Sequence, residues 1–172
     1  MIDIAKLAAL AIGYDAGDPR RVQHLMKVYA FSRLIGQREK LDEQEQNILE
    51  AAALLHDIGI HEAERKHGSC SGKWQELEGP AVAAPLLDQA GADEAEKKRA
   101  LWLIAHHHTY DASEDMDFRI LLEADFLVNA YEDALSQETC QTAGARIFRT
   151  KTGRSFLRDM YQKSEDCIKI QV

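Results

Sequence analysis

The sequence predicts an all-α fold built as one multi-helix domain, and three observations carry that reading. Apolar residues recur at helical spacing along most of the chain. No stretch shows the alternation of apolar and polar residues, rich in β-branched types, that marks a half-buried strand. Only 3 prolines interrupt 172 residues, and helix-start signals recur between the apolar stretches.

Taken in order, the first element is an amphipathic helix around LAALAIG. It superficially resembles a signal-peptide core, but Asp3 spoils the basic region and the apolar run is short. Asp18-Pro19 then reads as an N-cap followed by proline at the first helical position. Val22, Leu25, Met26 and Tyr29 continue that helix at the right spacing to about Gly36. A third helix starts near Asp42, with Glu45 as its capping-box partner. Its second half, ILEAAALLHD, is so apolar that burial on all sides is expected, and Gly59 reads as its stop. Residues 61–77 are polar and glycine-containing, and read as a long loop with room for one short helical turn. Helices resume at about 78–90, 94–108, 116–132, 137–148 and 152–168. Nothing marks an internal repeat, a low-complexity tract or an interdomain linker, so residues 1–172 read as a single domain.

Composition bounds the function. Hydrophobic residues make up 45% and charged residues 29%, an ordinary globular mix. The net charge of -8 argues against a broad electrostatic grip on nucleic acid or an anionic membrane. No stretch reaches the roughly 20 apolar residues of a membrane span. Cys70, Cys140 and Cys167 are odd in number and lack a CxxC spacing, which reads as free thiols in a reducing cytoplasm.

The polar residues that interrupt apolar helices are the candidates for chemistry. His56-Asp57 directly follows AAALL, and a carboxylate there needs a partner, which an ion would provide. Read alone, the pair is equally well a helix end with its Asp turned outward. His24 flanks an apolar stripe, where a core-edge histidine is the ordinary reading. Asp125 lies inside ILLEADFLVNAY, where it could instead cap a neighbouring helix. Finally, IAHHHTYD sets His106, His107 and His108 side by side. Consecutive helical residues fan over roughly 200°, so all three meet one ion only if the helix ends there.

Together, the order H…HD…HHH…D on separate helices resembles the HD-domain superfamily of metal-dependent phosphohydrolases. The motif positions are His24, the pair in LLHDIGI and Asp125 in EADFLVN, and the resemblance covers about residues 18–132, with C-terminal helices following at about 137–168. SGKWQELEGP, HHHTY and LLEADFLVN are similar to a bacterial subgroup of that superfamily. The resemblance implies a compact helical HD-domain bundle in which His24, His56, Asp57 and Asp125 hold a divalent ion. Imidazoles with carboxylates suit Mn²⁺, Fe²⁺, Co²⁺, Ni²⁺ or Zn²⁺, with Mg²⁺ also admissible. One ion is expected, and the family leaves room for a second.

The second position is where the chain departs from its relatives. Glu78, in EGPAVAA, stands where relatives can carry a histidine, and reads as an oxygen ligand, a general acid or a helix cap. His107 and His108 follow Leu103 and Ile104 by four residues and should point inward toward such an ion, whereas His106 follows Trp102 and reads as a bystander. HDIG is followed by Ile60 rather than a phosphate-touching lysine, so Lys73 is expected to supply that cation, ahead of Arg65 and Lys66. A cyclic-dinucleotide phosphodiesterase is disfavoured by the missing GYP signature.

The expected activity is hydrolysis of a phosphomonoester or phosphodiester, most plausibly of a nucleotide, in the cytoplasm. Asp57 or Asp125 would orient the attacking water, with His107 or Glu78 assisting proton transfer. A di-iron oxygenase and a non-catalytic ligand-binding domain are the alternatives, and homo-oligomerisation is left open. Two decoys are set aside. GSCSGKW has too few residues between its glycines for a phosphate-binding loop, with Trp74 where Ser or Thr belongs. The cluster Arg146, Arg149, Lys151 and Arg154 reads as a solvated helix terminus.

Overall fold

The helix-start signals are realised almost position by position. In the computed structural model, which describes residues 1–161, Asp3 caps α1 (Ile4–Tyr14) by accepting from Lys6 N. Asp18 caps α2 (Pro19–Glu39), and Asp42 and Glu45 close a capping box on α3 (Glu43–Leu55). A second capping box, Asp93 with Glu96, starts α6 (Glu94–Ile104). The remaining described helices are α4 (Ile60–His67), α5 (Gly72–Gln89), α7 (Met116–Glu132), α8 (Gln137–Ile147) and α9 (Lys151–Tyr161). Cys167 and the expected continuation of the last helix to 168 lie outside the described residues.

The core explains the arrangement. Every residue of α3 from Ile48 to Leu55 is buried, and α7 is buried nearly throughout from Asp117 to Ala130. These two helices form the centre, and α2 packs against both. The buried cluster runs in sequence from Ile2 to Phe148, so α1 and the α8–α9 turn join the same core. Glu123 pins that turn from within α7. Its carboxylate accepts from Arg149 N at 2.5 Å, Thr150 N at 2.8 Å and the Thr150 hydroxyl at 2.5 Å, which satisfies an otherwise costly buried charge. Two cations of the basic cluster serve the same turn, since Arg149 and Arg154 both donate to the Phe148 carbonyl.

Several boundaries differ from the expectation. α2 runs past Gly36 to Glu39, because Gly36 is a contact rather than a stop: a Cβ there would collide with Oε1 of Gln46 on α3. The turn instead falls at Lys40, with φ of 63°. The expected loop over 61–77 is mostly helical. α4 is braced by Glu62 with Arg65 and Lys66 and ends on Gly68, which leaves only residues 68–71 as loop. α5 then begins at Gly72 and passes through Pro80 and Pro85. Each proline removes one helical hydrogen bond, but Gly79, Ala83 and Leu87 bury a continuous stripe that offsets the loss. α6 stops at Ile104, short of the histidine run.

Gly59 is the N-cap of α4 rather than the stop of α3. An added Cβ would lie 2.6 Å from Gly79 N and 2.8 Å from the Gln75 carbonyl, so the chain crosses α5 here almost backbone to backbone. Backbone cannot yield as a flexible side chain does. Gly59→Ala should therefore destabilise the protein by about 2–3 kcal/mol in urea unfolding. An effect below about 0.5 kcal/mol would show that the crossing is loose.

Candidate metal centre

Two helices and one turn deliver the site. His24 comes from the first turns of α2, Asp125 from the middle of α7, and His56 and Asp57 from the turn that ends α3. Their ligand atoms converge. His24 Nε2 lies 3.1 Å from His56 Nε2, 3.3 Å from Asp125 Oδ1 and 3.5 Å from Asp57 Oδ2. His56 Nε2 lies 3.5 Å from Asp125 Oδ1 and 3.6 Å from Asp57 Oδ2. All four sequence candidates thus meet at one point, in a largely buried setting.

The outer nitrogens fix what the inner ones present. His56 Nδ1 donates to Ala53 O at 2.9 Å, and His24 Nδ1 donates to Glu132 Oε2 at 3.0 Å. A carbonyl and a carboxylate can only accept, so in both neutral rings the Nε2 lone pair is bare. Two bare lone pairs 3.1 Å apart, flanked by two carboxylates, suit a cation. Asn129 Nδ2 adds a hydrogen bond to Asp125 Oδ1 at 2.9 Å, which orients that carboxylate. Glu132, held in turn by Lys27 at 2.6 Å, and Asn129 were missed in the sequence. Both sit one helical turn or two from Asp125, where the helix period could have found them.

The histidine run divides as its helix ends. Beyond Ile104 the chain turns, and His107 folds back with Nδ1 donating to Ile104 O at 2.8 Å and Nε2 3.3 Å from Asp57 Oδ1. Asp57, His107 and His108 form a second cluster with ligand atoms within 4.8 Å of one another. His106 turns away and stacks on Trp102. Burial, reinforced by the charge of His107, pushes the His108 pKa down to about 4.

Two expected residues are placed elsewhere. Glu78 belongs to neither cluster. Because α5 starts at Gly72, Glu78 is about 100° round the helix from Gly79 and faces α4. There Lys66 Nζ, at 2.5 Å, and His67 Nε2, at 2.9 Å, donate to it and hold its pKa below the usual carboxylate range. Lys73 is exposed, its Nζ 4.8 Å above the Trp74 ring. The residue that α5 does turn to the site is Gln75, whose Oε1 accepts from His108 Nε2 at 2.9 Å. It heads the buried stripe of Gly79, Ala83 and Leu87 at intervals of four, a signal hidden while 61–77 is read as loop.

A cleft of about 340 Å³ opens over His24 and Asp57. Arg20, Arg21, Glu64 and Cys70 are among its walls. Arg21 is engaged by Glu64 at 2.9 Å and by His61 at 2.7 Å. Arg20 has no ion-pair partner among the described residues, and is the cation there with charge to spare. No helix among them is long and apolar enough to cross a membrane.

Without metal the cluster must hold protons. Burial disfavours a charged His24, but Asp125 and Asp57 outweigh it and raise its pKa to about 9. Asp57 and Asp125 move the opposite way, well below the usual carboxylate range: burial opposes this, but the facing imidazoles prevail. The raised histidine contributes stability that is complete below its unfolded value of about 6.5 and lost as pH rises through about 9. Metal-free protein should therefore lose about 1–3 kcal/mol, or about 2–12 °C in Tm, between pH 6.5 and 9.5. Saturating Mn²⁺ should flatten that loss in thermal melts. A metal-free Tm that stays constant over this range would contradict the linkage.

No curated protein matches the chain at a significant level. A solved structure described as a predicted HD superfamily hydrolase, from an uncultured Thermotogales bacterium, matches with a TM-score of 0.62 and 27% identity. The match covers 92% of this chain and 83% of that one. The HD domain family matches residues 21–162. That span contains all four converging side chains, and the chain belongs to the HD domain family.

Proposed function

We propose that this protein is a metal-dependent phosphohydrolase acting on a phosphomonoester or phosphodiester of nucleotide size. The observation that carries the reading is the 3.1 Å approach of two bare imidazole nitrogens between two carboxylates, open on one side to a cleft. When bound, a divalent transition-metal ion supplies Lewis acidity that brings the pKa of water toward neutrality and offsets phosphoryl charge.

The chain's own residues divide the remaining work. Asp57 presents Oδ2 to the ligand cluster and Oδ1 to His107 Nε2 at 3.3 Å. That pair can hold and pass a proton beside the reacting group, the role earlier shared with Glu78. Glu78 is withdrawn from it by Lys66 and His67. Arg20, not Lys73, is the cation placed to meet substrate phosphate. The cytoplasmic setting and the nucleotide identity of the substrate belong to this proposal.

Asp57→Ala should weaken Mn²⁺ or Co²⁺ binding by at least about 100-fold and abolish phosphate release from a nucleotide panel, with helical content by circular dichroism unchanged. A folded variant that keeps stoichiometric metal would refute the ligand assignment. Arg20→Ala should raise KM for a nucleotide substrate by roughly 10-fold, equivalent to about 1.4 kcal/mol, at unchanged metal content. If KM is unaltered, the phosphate is met by another group.

A further inference from the structure

Asp57, His107 and His108 have the composition of a seat for a second ion, but Gln75 holds one nitrogen of His108 and leaves only Nδ1 free to ligate, and the charge around the seat opposes a second ion. The His108 ring lies on the first turn of α5, where a Cβ at Gly72 would come within 2.5 Å of His108 Cγ. One turn on, Gln75 takes the ring nitrogen. Gln75 Nε2 donates to Cys70 O at 2.7 Å, which fixes the amide with its oxygen toward His108. An amide oxygen only accepts, so His108 Nε2 carries the hydrogen. The imidazoles of His24, His56 and His107 carry theirs on Nδ1. Glu76 completes the seat by accepting from His108 N at 2.9 Å and from the Thr109 hydroxyl at 3.0 Å.

Charge is what opposes a second ion. Asp57 and Asp125 balance one divalent ion. A second ion would share Asp57 and otherwise find two imidazoles and a neutral amide. Leaving such charge uncompensated in a largely buried site costs several kcal/mol. The nearby acids of α5 are already engaged, Glu76 by the His108–Thr109 turn and Glu78 by Lys66 and His67.

We propose that Gln75 limits this centre to one ion: it docks His108 on α5 through Nε2–H and places a neutral amide where a carboxylate would complete a second ligand set. Gln75 is a positioning residue. The proposal rests on the ligand assignment of His24, His56, Asp57 and Asp125, but not on the reaction catalysed.

The test is metal stoichiometry by elemental analysis after equilibration of the full chain with Mn²⁺ or Fe²⁺, with electron paramagnetic resonance of the Mn²⁺ form. Wild type should hold one ion per chain and show an isolated-ion spectrum. Gln75→Glu, which keeps the shape and adds the missing charge, should hold two and show a coupled pair, whereas Gln75→Leu should stay at one. Two ions in wild type would overturn the proposal, and two irons would favour the oxygenase alternative. A Gln75→Glu variant with native circular dichroism that stays at one ion would overturn the role of Gln75. One ion in wild type without phosphatase activity would sink the proposed function and leave this inference standing. No tightly bound ion would sink both.

Discussion

Two histidine side chains meet nitrogen to nitrogen at 3.1 Å inside the helical core, and neither can relieve the other. Each has its outer nitrogen committed to an acceptor, so both inner nitrogens are lone pairs. The flanking carboxylates of Asp57 and Asp125 deepen the negative potential. A fold built to bury apolar surface gains nothing from this arrangement unless a positive charge enters it. In the metal-free protein that charge is a proton on the cluster, which is why the facing carboxylates and imidazoles, against the effect of burial, drive the pKa values of histidine and aspartate apart.

Helix ends, rather than helix interiors, make the convergence possible. His56 and Asp57 are adjacent, and within one helix they would diverge by about 100°. α3 stops at Leu55, and the turn that follows brings both to one point. The same device separates the histidine run, since α6 stops at Ile104 and only then do His107 and His108 reach Asp57. The Gly59 crossing serves this geometry too. By allowing α4 to start against the backbone of α5, it sets Gln75 beside the turn that carries His56 and Asp57.

The all-α class, most helix starts and the four side chains that converge were legible because each leaves a local mark. Caps are short-range chemistry, and a His, an Asp or an HD pair in an apolar helix is conspicuous against its neighbours. The stretch 61–77 was illegible for the opposite reason. Its helices are held by ion pairs such as Glu62 with Arg65 and by contact with other segments, which polar composition disguises as loop. That one misreading displaced the rest of the site. With α5 expected to start only at 78, the buried turn that carries Gln75 goes unread, and Glu78, read as an oxygen ligand, a general acid or a helix cap, instead faces Lys66 and His67. Gly36 failed similarly, since a glycine that admits Gln46 looks the same in sequence as one that ends a helix.

The imidazoles of His24, His56 and His107 are not anchored alike, and the difference ties the site to the fold. His56 and His107 donate to carbonyls three residues back, so each is held by its own segment. His24 donates instead to Glu132, at the far end of α7, and Glu132 also accepts from Lys27, one turn along α2. The outer bond of His24 is therefore a bridge between α2 and α7, two of the most closely packed helices in the structure. Asp125, on α7, faces the inner nitrogen of the same ring. A cation at the cluster pulls on both ends of that bridge, through His24 from α2 and Asp125 from α7. Charge at the centre thus acts directly on the packing of the core, and stability and ligation become one equilibrium rather than two.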